Sequence, residues 1–338
     1  LHFKKLFGKK LEKENKQLRY LSGIQPSGEL HLGNYFGAIK QHVENQHGEN
    51  SLYFIANYHA LTTVNDAEAI RNYTFEAALT YLACGLDPEN SILFKQSDIP
   101  ELNTMTWLLL CVSPMYLLEK SVSYKDKIAK GLSPNAGLFT YPALMASDIL
   151  AYDSNVVPVG KDQVQHVEIT RDMADKFNKT FNSDVFVLPD YKLSTAPYVP
   201  GIDGAKMSKS YNNYIGIFEE GKELKKKIMS IVTSSEPLEA PKDPDKCNVF
   251  ALYKLFAVEE KVNEMAENYR KGGYGFGHAK KELLNEINTK FEPFREKRKK
   301  LLQNPDYVQD VLNEGGKKAK VIAQRTLQRA LTAVGLDS

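Results

Sequence analysis

Two lysines three residues apart, Lys206 and Lys209, stand in a small polar stretch opened by glycine, Gly204-Ala205-Lys206-Met207-Ser208-Lys209-Ser210. Lysine is a compact charge on a flexible stem, so such a pair on a loop can follow phosphates as negative charge builds on them. By itself a Lys/Ser loop is most often solvated surface. Far upstream, Ser22-Gly23-Ile24-Gln25-Pro26-Ser27-Gly28-Glu29-Leu30-His31-Leu32-Gly33-Asn34 combines glycines with Pro26 and Ser27 and leads into Gly37–Val43, which reads as a helix with an apolar face. Glycine permits a tight turn, and a helix N-terminus offers free N–H groups to phosphate. That stretch by itself leaves two readings open, a phosphate turn or an ordinary strand-to-helix loop. A third group is Tyr141, Met145 and Asp148, one helical face within an apolar run, with an acid that is costly to bury unless it is paired. Asp148 reads either as an acid satisfied by nearby backbone or as an acceptor for a ligand donor.

Alternating elements must position these groups. Leu18–Leu21 reads as a strand, Ser51–Asn57 as a buried parallel strand, and Ser91–Gln96 as the next. Asp66 caps a predicted helix over 67–84, ended by Gly85. Asn155–Gly160 is a short strand that turns into a helix opening at Lys161, where Asp162 suits an N-cap. His166 reads as a helix-face residue rather than a ligand, and Trp107, the single tryptophan, as core within an apolar helical region over 100–118. This alternation predicts an α/β fold of Rossmann type, a doubly wound parallel sheet, with ligands at the strands' carboxyl ends. Beyond Glu219 the chain is charged and helical, with helices expected over 248–258, 261–271, 278–303, 306–314 and 317–333, the third broken or kinked at Pro293. The predicted division is a basic N-terminal extension over 1–17, a catalytic domain over 18–210 and an all-helical domain over 211–338, whose last helix can pack back on the catalytic domain.

The chain has 338 residues, 42% hydrophobic and 25% charged, the composition of a globular protein with a sizeable core. Its net charge of +2 excludes a generally basic nucleic-acid coat, so any RNA contact needs a local patch. The three cysteines, Cys84, Cys111 and Cys247, lie far apart, which argues against zinc or iron–sulfur ligation and suits a reducing compartment. No metal site is expected. The densest basic cluster, Arg295, Lys297, Arg298, Lys299 and Lys300, reads as a solvated face and, in an RNA-binding chain, as a phosphate contact. Gly216–Glu223 nearly spells a P-loop, but no Ser or Thr follows Lys222 and Glu219 and Glu220 stand where phosphate would sit. Gly272–Gly277 reads as a turn between helices.

Together the two loops resemble the signature pair of class I aminoacyl-tRNA synthetases. His31-Leu32-Gly33-Asn34 looks like the HIGH element, and Lys206-Met207-Ser208-Lys209-Ser210 matches KMSKS at every position. Within that class, 18–338 resembles the tryptophanyl-tRNA synthetases of bacterial type, most densely over Ser22–Gly37, Phe54–Thr62, Tyr141–Leu150, Val157–Asp172 and the KMSKS loop. The resemblance implies ATP-dependent activation of tryptophan on Mg²⁺-bound ATP, transfer to tRNA(Trp), a homodimer and a cytoplasmic enzyme. It implies ATP contacts at Gln25, Pro26, Ser27, Gly33, Asn34, Gly160, Lys161, Asp162, Met207 and Ser210, and catalytic roles for Gln25, Asn34, Lys127, Lys206, Ser208 and Lys209. For the amino acid it implies Asp148 on the indole N–H, Tyr141 and Gln163 on the amino group, and His59, Met145, Val157 and Val159 around the ring. His31 stands where many members carry Thr, and Leu21 where some carry an aromatic. The adenine contacts in Pro197–Asp203 stay unassigned. Three alternatives remain: a tyrosyl-tRNA synthetase, a small-molecule adenylyltransferase of the same superfold, and a non-catalytic RNA-binding paralogue.

Overall fold

The computed structural model describes residues 18–121, 124–125, 135–160, 163–193 and 197–337. At its centre five parallel strands run in the order β3-β2-β1-β4-β5. They are β1 (Tyr20–Ile24), β2 (Ser51–Ile55), β3 (Ile92–Lys95), β4 (Val156–Val159) and β5 (Asp190–Leu193). Ile24 pairs with Ile55, and Val159 with Leu193. The chain builds outward from β1 to β3, then crosses to β4 on the other side of β1. That reversal opens a crevice at the carboxyl ends of β1 and β4, where doubly wound sheets bind ligands. β2 is buried at every position, as its continuous apolar run requires.

Successive strand residues face opposite ways, so the sheet has two cores. Tyr53 and Ile55 pack on one side with Leu32, Tyr35, Ile39 and the helical C-terminal part. Leu52 and Phe54 pack on the other with Leu102, Ala146, Ile149 and Val167. The helices are α1 (residues 32–44), α2 (Asn57–Ala60), α3 (Ala67–Ala83), α4 (Glu101–Val112), α5 (Met115–Glu119), α6 (Ala136–Leu150) and α7 (Val164–Thr180). After the sheet come α8 (Gly221–Met229), α9 (Asn248–Tyr253), α10 (Glu259–Lys271), α11 (Phe276–Leu302) and α12 (Pro305–Val334). Asp66 caps α3 by accepting from the Ala69 N–H at 2.7 Å. Gly272 and Gly273, both with positive φ, make the turn between α10 and α11.

Two expected interruptions of helices are absent for a packing reason. Of the break or kink expected at Pro293 there is no break: Pro293 lies inside α11 without ending it, on the exposed face, where water can take the carbonyl its ring leaves without a partner. Phe291 and Arg295 on the inner face are buried and hold the helix in place. The helices expected over 306–314 and 317–333 are one, α12, because Gly315 and Gly316 serve close approach rather than termination. A Cβ on Gly315 would lie 1.9 Å from the Leu93 carbonyl oxygen, so only glycine lets α12 lie directly on β3.

Candidate active site

A cavity of about 510 Å³ opens at the carboxyl ends of β1, β2 and β4, a size suited to a small ligand. α6 supplies Tyr141, Met145 and Asp148 along one face, as their spacing requires; Gln25 and His59 enter from the turns after β1 and β2, and Val157 and Val159 from β4. Gln163 and His166 close the side where α7 begins. Leu21 forms part of the wall, and Gly23 has a positional reason: a Cβ there would sit 2.5 Å from the Phe54 ring, another lining group.

Asp148 is 1% exposed, and its charge is met by two side chains. Gln96 Nε2 donates to both carboxylate oxygens, at 2.8 and 2.9 Å, and His59 Nε2 lies 2.9 Å from Oδ2. Burial pushes the Asp148 carboxyl above its ordinary range, while the bonds from His59 and Gln96 pull it back. A carboxylate has about four lone-pair directions, so three such bonds leave capacity for one further donor from the cavity. Across the cavity the Tyr141 hydroxyl is held by the Ser121 hydroxyl at 2.7 Å and by His166 Nε2.

The second part of the site is polar. Asn34 Oδ1 accepts from the His31 N–H at 3.0 Å and closes the first turn of α1, which then passes through a π-turn over Tyr35–Ile39. The HLGN turn pairs with the exit of the lysine loop: Leu32 N–H donates to Ile215 O at 2.9 Å and Ile217 N–H to Leu30 O at 3.1 Å. A Cβ on Gly33 would meet the His31 ring at 2.9 Å and Met207 Cβ at 3.6 Å, so the two signature loops touch. Met207 is buried and anchors its loop, with Ser208 N–H donating to Asn213 Oδ1 at 2.8 Å. Lys209 crosses to the first loop, donating to the Ser27 carbonyl at 2.9 Å and to its hydroxyl at 3.2 Å. Burial lowers the Lys209 ammonium from its ordinary value, and Glu29 opposes that shift. Burial, with Lys209 nearby, lowers His31 to about 4, so its ring is neutral at neutral pH. This end can hold polyanionic phosphate with backbone N–H groups and a movable cation.

The structure thus gathers Gln25, His59, Tyr141, Met145, Asp148, Val157, Val159 and Gln163 around one cavity, and joins Ser27, Gly33, Asn34 and the 206–210 loop beside it. Gly160 follows β4 at the crevice, and its carbonyl accepts from the Gln163 N–H at 3.0 Å. Lys127, Lys161 and Asp162 lie outside the described residues. Sequence reasoning missed Gln96, read only as a strand end, and took His166 for a helix-face residue although it is buried on the cavity. Neither carried a local signal, since the partner of each lies tens of residues away. Trp107 is not core: it is 67% exposed, on the outer face of α4. The basic cluster is also not a uniform solvated face. Arg295 is 2% exposed and donates to the Glu219 carbonyl at 2.5 Å and to Asn288 Oδ1 at 2.9 Å, while Arg298 pairs with Glu76 at 2.6 Å. The near P-loop at Gly216 instead forms the strand-like segment that pairs with His31.

This combination of sheet order, glycine turn and lysine loop accords with the known proteins the chain resembles. The family described as class I tRNA synthetases (W and Y) matches residues 13–292, and the chain belongs to it. A tryptophan–tRNA ligase of Fusobacterium nucleatum is 54% identical, covering 94% of this chain and 98% of that one. One from Rhodopirellula baltica is 52% identical, over 94% of this chain and 100% of its own. The crystal structure of tryptophanyl-tRNA synthetase from Campylobacter jejuni complexed with ADP and tryptophan superposes with a TM-score of 0.88, at 49% identity, over 94% of this chain and 100% of that chain. Within class I, this chain therefore falls in the tryptophanyl-tRNA synthetase family.

Proposed function

We propose that the chain activates L-tryptophan with ATP and transfers it to tRNA(Trp). One observation carries the reading: the cavity contains a buried carboxylate, Asp148, beside a phosphate-type turn crossed by Lys209. The relatives named as tryptophan–tRNA ligases, and the Campylobacter protein captured with ADP and tryptophan, support it. The substrate carboxylate attacks the α-phosphorus of ATP, the bond to the β-phosphate oxygen breaks, and tryptophanyl-adenylate and pyrophosphate result. A carboxylate is already nucleophilic at neutral pH, so positioning and charge stabilisation supply the acceleration rather than a general base. The 3′-terminal hydroxyl of tRNA then takes the acyl group and AMP leaves.

In this reading Asp148 accepts the indole N–H, while Met145, Val157, Val159 and His59 enclose the ring. Tyr141, oriented by Ser121 and His166, and Gln163 hold the amino group, with Gln25 beside the carboxylate. Pro26, Ser27, Gly33, Asn34, Gly160, Lys161, Asp162, Met207 and Ser210 contact ATP. Lys206, Ser208 and Lys209, with Lys127, hold the leaving phosphates, which bring their own Mg²⁺ as part of the substrate. Residues 211–338 read the anticodon, although α12 also packs on β3 of the catalytic sheet. The exposed Trp107, Met115 and Tyr116 of α4 and α5 suit the face of a homodimer, which sedimentation at micromolar concentration tests. No helix among the described residues is long and apolar enough to cross a membrane, and all three cysteines are free, which suits the cytoplasm. ATP–pyrophosphate exchange with each of the twenty amino acids tests the activity. Exchange with tryptophan alone, followed by charging of tRNA(Trp), is expected; preferential activation of tyrosine overturns it.

A further inference from the structure

Gln96 does not line the cavity, is not among the signature residues, and has no exposed surface. Its amide has only one workable orientation. Oε1 accepts from the backbone N–H groups of Tyr58 and His59, at 2.9 and 3.4 Å, so the NH₂ must face Asp148. From there it reaches both carboxylate oxygens. One side chain thus ties the tip of β3 to the turn that carries His59 and to the acceptor on α6. A carboxylate gripped at both oxygens cannot rotate, and the direction it leaves toward the cavity is set. The other link between the two turns, Asn57 Nδ2 to Ser97 Oγ at 2.8 Å and Ser97 N–H to Asn57 Oδ1 at 3.0 Å, does not touch Asp148. The segments therefore remain joined without Gln96, while the carboxylate keeps only the His59 bond at Oδ2 and loses its hold on Oδ1.

We propose that Gln96 is a specificity-positioning residue, which aims the Asp148 carboxylate at the substrate's ring N–H. This rests on the reading that Asp148 takes that N–H. Hydrophobic contacts alone discriminate between similar rings weakly, whereas a fixed polar partner rejects a substrate that lacks its donor far more strongly. The effect of Gln96 should therefore appear in discrimination rather than in turnover as such.

The test compares kcat/KM in pyrophosphate exchange for tryptophan and for β-(benzothienyl)alanine, in which sulfur replaces the ring N–H. The wild type should prefer tryptophan by ~10²-fold, the scale of a hydrogen bond to a charged acceptor. Gln96→Met removes the grip at similar volume. It should lower the preference ~10-fold or more, mainly by raising the KM for tryptophan, with activity on the sulfur analogue little changed. Gln96→Glu keeps an acceptor for Tyr58 and His59 but sets a second carboxylate against Asp148, and should also collapse the preference. If either variant folds and keeps the wild-type ratio, or loses activity equally on both substrates, Gln96 is a structural amide and the proposal fails. Loss of fold in both variants also overturns it, since the Asn57–Ser97 link should hold the turns. A wild type that uses both substrates equally removes the reading of Asp148 itself, before any Gln96 variant is compared.

Discussion

The two ends of the site are built on opposite principles. At the Asp148 end the polar groups hold one another: Gln96 and His59 grip the buried carboxylate, and Ser121 and His166 hold Tyr141. The elements that carry it are regular, chiefly α6 and the strand ends. At the Lys209 end the groups lie on loops, and the ammonium rests on Ser27, a contact that incoming phosphates can replace. A site that must tell one ring from another needs an acceptor fixed before the ligand arrives, because an unsatisfied or mobile acceptor discriminates poorly. A site that must stabilise charge during reaction needs a cation that can move with it.

The largest effect should come from removing the fixed acceptor. Asp148→Asn is expected to retain the fold and to lose preference for tryptophan over phenylalanine by up to ~10⁴-fold, read as the ratio of kcat/KM values in pyrophosphate exchange. Full retention of that preference would make Asp148 a satisfied core acid and erase the contrast between the ends. Next, Lys209→Ala should slow adenylate formation by ~10²–10³-fold at saturating ATP while leaving tryptophan affinity nearly unchanged. Rapid-quench measurement of the first turnover decides this, and an unchanged rate would sink the assignment.

Smaller effects sharpen the frame around the Lys209 end. Arg295 holds the Glu219 carbonyl just after the segment that pairs with the HLGN turn. Arg295→Met should lower stability by about 1–3 kcal/mol by orphaning that carbonyl and Asn288. Chemical denaturation measures it. The salt dependence of tRNA binding should not change; a shallower salt slope would restore Arg295 as a phosphate contact. Burial lowers both His31 and His42 to about 4, below the ordinary histidine value near 6.5. The unfolded chain then binds more protons between those limits, so stability should fall as pH drops from about 6.5 toward 4. His42→Gln should weaken that slope in thermal melts across the window, and an unchanged slope would assign acid sensitivity to other groups.

What the sequence determined by itself was local. The alternation of strands and helices, the Asp66 cap, the turn at Gly272 and Gly273 and the two signature loops each rest on a few consecutive residues, because hydrogen-bond ladders, caps and glycine turns are set by near neighbours. The shared face of Tyr141, Met145 and Asp148 followed from helical spacing alone. Tertiary structure decided whatever depends on a partner far along the chain. Gln96 reads as an ordinary polar residue at a strand end until α6 brings Asp148 to it from 52 residues away. Gly315 reads as a helix stop until β3 lies against it, and Arg295 as a surface charge until Glu219 and Asn288 enclose it. Trp107, taken for core on composition, faces outward because burial is set by what packs against a helix face and not by how apolar the residue is.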